Sequence, residues 1–161
     1  MNRDRLLLAA PAIVCAGLLG FGYYLQYFDG QDPCPLCLVQ RGFFYAVLVI
    51  FLVAAVHVPQ RTGRRIYCAA AFLAALGGFA VAARHVWLQH LPADQVPACG
   101  PDLFYMVENL PFRRMLEKLF MGSGQFAEVH WKLLGLSIAE WSLAWFLALA
   151  CYVLWLGARR R

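Results

Sequence analysis

The chain has 161 residues, of which 62% are hydrophobic and only 14% charged, with a mean hydropathy of +0.60 and a net charge of +5. Soluble domains carry about 25% charged residues, so this composition excludes an ordinary soluble domain and fits an integral membrane protein. Eight of the fourteen basic residues collect at the termini and in one short loop, which gives no case for nucleic-acid binding; that would need a basic patch on a folded aqueous face.

The first charge-free run reads as a span over about 6–28. Its apolar core exceeds the roughly 7–15 residues of a signal-peptide core, so it is expected to stay in the mature chain. It ends in Tyr23, Tyr24, Tyr27 and Phe28, the pattern of an interfacial aromatic belt. Cys15 does not mark a lipoprotein site, because Val14 before it is too bulky.

The first outer loop, about 29–41, carries Cys34-Pro35-Leu36-Cys37 followed by Gln40-Arg41. A Cys-x-x-Cys pair can close a small ring, so it serves redox exchange or metal binding. Pro33 and Pro35 fix two φ angles beside Cys34 and hold back the helix start. Cys37 is then expected near the N-terminus of the second span, where the helix dipole favours a thiolate. Arg41 lies one turn further on and adds fixed positive charge. An arginine at the membrane boundary is either an anchor that snorkels or a donor to a carbonyl of a bound ring compound such as a quinone.

The second span covers about 42–58 and the third about 66–88, joined by a short loop holding Arg61, Arg64 and Arg65. The third ends in Arg84-His85-Val86-Trp87-Leu88-Gln89. The second outer loop, about 89–135, holds Cys99 in Pro97-Ala98-Cys99-Gly100-Pro101, a turn-rich segment open to attack by a partner's thiolate. Within it, 110–120 reads as a short amphipathic interfacial helix. Phe112, Met115, Leu116, Leu119 and Phe120 share one face, and Arg113, Arg114, Glu117 and Lys118 lie opposite. The fourth span covers about 136–157.

Four spans put both termini on one side. That side carries eight arginines opposed only by Asp4, so the positive-inside rule places it in the cytoplasm. Of the six cysteines, Cys15, Cys68 and Cys151 read as small buried apolar residues. Cys34, Cys37 and Cys99 face the outer, oxidising side. Zinc needs more ligands than this pair, and His85 and His90 diverge around a helix, so no metal site is expected. Covalent haem lacks its signature, since Leu38 follows Cys37, and His57 and His85 lie at opposite faces.

With Cys34-Pro35-Leu36-Cys37 and Gln40-Arg41 in the first loop, Arg84-His85-Val86-Trp87-Leu88-Gln89, Gly122-Ser123-Gly124 and Trp131-Lys132-Leu133-Leu134-Gly135-Leu136, the chain resembles the disulfide bond formation protein B (DsbB) family over nearly its whole length. The resemblance implies an all-α bundle of four transmembrane helices in the bacterial inner membrane. It also implies a relay in which a periplasmic thiol oxidase of the DsbA type forms a mixed disulfide at Cys99. Electrons then pass to Cys34 and Cys37 and on to a membrane quinone, ubiquinone or menaquinone. By the same resemblance Cys37 contacts the quinone as a thiolate, Arg41 stabilises both, and His85 lines the site; an interfacial histidine is the other reading of His85.

One position departs from the pattern. Phe126 stands where the family carries another cysteine shortly after the Ser-Gly pair, so Cys99 lacks its expected partner. An engineered substitution, a natural shortened relay and a specialised relative all fit, the first best because the rest of the relay is complete. A substitution implies a mixed disulfide at Cys99 that persists, whereas a shortened relay implies pairing of Cys99 with Cys34 or Cys37. The reading from another class is a non-catalytic membrane assembly or zinc-binding protein with structural loop cysteines.

Overall fold

A computed structural model describes residues 3–30, 33–92, 105, 108–111, 113–114, 117 and 132–159. Four long helices carry the fold: α1 (Arg3–Phe28), α2 (Pro35–His57), α3 (Arg61–Gln89) and α4 (Ile138–Ala158). Each is long and apolar enough to cross a membrane. The protein is an all-α, multi-pass membrane protein.

The helix ends follow from local chemistry. Pro35 occupies the first turn of α2, where its missing N–H costs nothing. The helix therefore begins at Pro35, ahead of the expected start at Gly42, and takes Cys37, Gln40 and Arg41 with it. Three residues then join α2 to α3, so Arg61, Arg64 and Arg65 lie in the first turns of α3 and not in a loop. Before α4 the chain makes a tight hairpin, Lys132–Leu133 pairing antiparallel with Leu136–Ser137. Leu134 and Gly135 both have positive φ, 54° and 85°, the conformation of a type I′ turn that favours glycine. Ser137 then caps α4 in a reciprocal capping box with Glu140.

Helices consecutive in the chain pack side by side as α1–α2–α3–α4. The core is centred on Val47, Phe51, Ala54, Ala71, Ala75 and Phe146, all fully buried. On α3, Ala71, Ala75, Gly78 and Ala82 form a stripe of small residues that lets neighbouring backbones come close, as membrane helices do. Gly78 is the tightest point, because a Cβ there would enter the ring of Phe146. That ring stacks on Phe44 with centroids 4.1 Å apart, joining α4 to α2 across α3. Ile13, Val56 and Leu73 point outward, as residues in lipid should. Cys15 and Cys68 are buried as expected, but Cys151 is exposed on the outer face of α4.

Cys99, Phe126 and the apolar positions of the expected interfacial helix lie outside the described residues. Of that helix, Arg113, Arg114 and Glu117 on the polar face are described, and all three are exposed.

Candidate active site

The N-terminus of α2 gathers the chemistry. Cys34 is extended (φ −63°, ψ 159°), as a residue before proline tends to be, and it serves as the N-cap. Its sulfur accepts the backbone N–H of Cys37 at 3.3 Å. The two sulfurs stand 3.0 Å apart, about 1 Å longer than a disulfide, so the pair is a dithiol poised to close.

Two helices hold a histidine over this pair. Nε2 of His85, on α3, lies 3.8 Å from the Cys34 sulfur. The Gln40 side-chain amide, on α2, lies 3.1 Å from Nδ1. Both residues are nearly inaccessible, at 3% and 2%. On the other side, the Gln89 amide nitrogen lies 3.5 Å from His85 Nε2, while its oxygen accepts the Ser137 hydroxyl at 2.8 Å. That hydroxyl in turn accepts the N–H of Glu140.

A neutral imidazole has one donor and one acceptor. Of the two amide nitrogens that face the ring, that of Gln40 is the nearer, 3.1 Å from Nδ1, against 3.5 Å from Nε2 for that of Gln89. With Nδ1 accepting from Gln40, Nε2 carries the proton and donates toward the Cys34 sulfur.

The electrostatics correct the expected thiolate: in the reduced pair it is Cys34 whose pKa is lowered. Its pKa is pushed down to about 5, chiefly by a hydrogen bond from Cys37, with smaller help from the bond and charge of His85 and from the Cys37 N–H. Burial opposes these effects and is outweighed. The N-cap geometry places Cys34 where the Cys37 thiol and His85 reach its sulfur, and the cap's own bond from the Cys37 N–H adds the smallest share.

Arg41 is half-buried and reaches to α1. One guanidinium nitrogen donates to Gln26 Oε1 at 2.6 Å and another to the Gly22 carbonyl at 2.9 Å. The group also lies 4.8 Å from the centre of the Tyr23 ring. His90 takes no part in the cluster: it is largely exposed, with Nδ1 2.9 Å from the Val86 carbonyl oxygen and Nε2 3.9 Å from Glu140. The structure thus brings together Cys34, Cys37 and His85, whose ligand atoms all lie within 4.8 Å of one another.

Sequence reading gave no role to Gln40, Gln89 or Ser137. Gln40 had a usable signal, because it falls on the buried stripe Leu36, Gln40, Phe44, Val47, Phe51 at helical spacing. A polar residue on such a stripe needs a buried partner. Ser137 to Glu140 is the spacing of a capping box. Gln89 carried no such mark.

Four membrane helices with a cysteine pair at one helix N-terminus, a lowered thiol pKa and a buried histidine define a membrane protein of thiol–disulfide exchange. The sequence model of the family "Disulfide bond formation protein DsbB" matches residues 4–156. The chain is 49% identical to the Disulfide bond formation protein B of Hahella chejuensis over 146 residues, 91% of this chain and 87% of that protein. It is 47% identical to that of an Azoarcus species over 160 residues (99% and 95%), and 46% identical to that of Nitrosococcus oceani over 142 residues (88% and 84%). The chain belongs to the DsbB family and is a disulfide-forming oxidoreductase of the membrane.

Proposed function

We propose that the protein reoxidises a periplasmic dithiol oxidase of the DsbA type and passes the electrons through Cys34 and Cys37 to a membrane quinone. The observation that carries this reading is the 3.0 Å approach of the two sulfurs at the cap of α2, with His85 Nε2 beside Cys34. The arginine-rich ends of the helices support placement in the inner membrane with both termini cytoplasmic.

The chemistry follows from the groups present. Cys34 is the thiolate at neutral pH, held by hydrogen bonds from the Cys37 thiol and from Nε2–H of His85. The Gln40 amide nitrogen at Nδ1 keeps the imidazole turned toward Cys34. When the Cys34–Cys37 bond closes, the pair gives up two electrons, and the Cys37 proton leaves with them. Cys99, in a loop next to the site in sequence, is the point at which the partner oxidase would form its mixed disulfide; its assignment rests on the family resemblance.

A quinone, when bound, supplies an acceptor for two electrons and two protons. The residues present fit such a group. Arg41 has five N–H donors and meets two acceptors on α1, which leaves donors for a carbonyl oxygen. His85 and Arg41 are the residues that would hold it beside Cys37.

The test is quinone reduction by the purified chain, driven by a reduced DsbA-type oxidase, with Cys34→Ser and Phe126→Cys alongside. Turnover abolished by Cys34→Ser supports the relay, and a gain with Phe126→Cys marks Phe126 as a block in it. No turnover in either the chain or Phe126→Cys would sink the reading.

A further inference from the structure

We propose that the reduced cluster of Cys34, Cys37 and His85 is a binding site for a thiophilic divalent cation, zinc in the first instance, and that the bound metal holds the dithiol reduced. This goes beyond the electron-transfer reading and does not depend on the acceptor.

The geometry is close to that of a metal centre. Zinc binds sulfur at about 2.3 Å and imidazole nitrogen at about 2.0–2.1 Å in a tetrahedron, so its ligand atoms stand about 3.8 Å (S–S) and about 3.6 Å (S–N) apart. Here the sulfurs are 3.0 Å apart and His85 Nε2 is 3.8 Å from Cys34. The three ligand atoms all lie within 4.8 Å of one another, so side-chain rotations of about 1 Å, which part the sulfurs and bring Cys37 toward the ring, close the difference. Two cysteines and one histidine form a recognised three-ligand set, with a fourth position left for water.

The surroundings fit as well. A metal-bound histidine donates its other N–H to an oxygen that fixes the ring. The Gln40 side-chain amide, 2% exposed, stands with its nitrogen 3.1 Å from Nδ1, and a half-turn of that amide puts its oxygen there. The charges also balance: two thiolates neutralise a divalent ion, so the complex sits in this half-buried place without a net charge. Arg41, the fixed cation one turn along α2, is drawn onto Gly22 and Gln26 of α1. Soft thiolate ligands select zinc over hard cations such as magnesium or calcium.

Binding moves no electrons. At neutral pH Cys34 is already the thiolate, so the thiol proton released to solvent as the two sulfur–zinc bonds form is that of Cys37. A sulfur held by zinc is withdrawn from disulfide exchange, so metal and oxidant compete for the same pair.

The full chain, reduced and freed of quinone in detergent, should retain one equivalent of zinc after desalting. Cobalt(II) in its place should show sulfur-to-metal charge-transfer absorption with the intense visible bands of a tetrahedral centre. The same protein with Cys34 and Cys37 oxidised keeps its fold and should retain none. Cys34→Ser should abolish uptake, and Gln40→Ala should weaken it about 10–100-fold. No uptake by the reduced chain, or uptake that survives oxidation or Cys34→Ser, overturns the proposal. Neither oxidase nor quinone enters this measurement, so its failure is separate from any failure of the relay.

Discussion

The backbone N–H of Cys37 donates to the sulfur of Cys34 at 3.3 Å, making a cysteine side chain the cap of a membrane helix. A cap is ordinarily an oxygen of serine, threonine, aspartate or asparagine. With sulfur in that place, the bond that starts α2 also stabilises the charge of a reactive thiolate.

The first prediction concerns which thiol reacts. In the reduced protein Cys34 should be alkylated with a pH midpoint near 5. At pH 6 an ordinary thiol, with a pKa of about 8.5, is only about 0.3% ionised. Peptide mapping after limited iodoacetamide treatment at that pH should find the label on Cys34. The sign for stability follows from a folded pKa that is depressed. The contribution of Cys34 to the reduced protein is complete above the ordinary thiol pKa and fades as pH falls toward about 5.

Gln40→Leu should remove the partner of His85 Nδ1 while filling the same space. A buried polar group left unsatisfied costs about 1–3 kcal/mol, read as a lower midpoint of thermal unfolding in detergent. The double variant Gln40→Leu with His85→Leu should be less destabilised than the sum of the singles, because neither polar group then remains unpaired. Additive losses would mean that the two side chains do not act as a pair.

Gly78→Ala should destabilise the bundle by about 1–3 kcal/mol, since its Cβ meets the Phe146 ring with no room to move. Phe146→Leu in the same chain should recover part of that loss. A Gly78→Ala protein as stable as the parent would show that α3 and α4 do not approach as closely as described.

Ser137→Ala removes both the cap of α4 and the hydroxyl that orients Gln89. The capping loss alone is about 0.5–2 kcal/mol. With Gln89 released, the His85 ring is less firmly held with Nε2 toward Cys34, so the alkylation midpoint of Cys34 should rise. Stability lost with no change in that midpoint would confine Ser137 to a structural role.

Much of this was legible in the sequence. Four apolar runs gave the four spans, because lipid leaves the backbone no alternative to a helix. The placement of Cys34, Cys37 and His85 at one end of the bundle followed from the order of spans. Helix ends were harder to read. Proline before Cys37 suggested a delayed start, yet Pro35 at the first turn begins α2 and moves Cys34 into the capping position. There the Cys37 thiol and His85 reach its sulfur, and the lowered pKa falls on Cys34 in place of Cys37. Gln89 was not legible, since its partners, His85 on its own helix and Ser137 across the outer loop, meet only once α3 and α4 pack.

The measurement that bears most directly on the proposed relay is a single-turnover test of the first pair. Reduced protein is mixed anaerobically with one equivalent of quinone and quenched with a mass-shifting thiol reagent, and Cys34 and Cys37 are then scored by peptide. The predicted result is simultaneous protection of both thiols, with one quinone reduced for each pair lost and no protection in Cys37→Ser. Quinone left oxidised, with both cysteines still open to the reagent, would contradict the assignment of Cys34 and Cys37 as its electron donors.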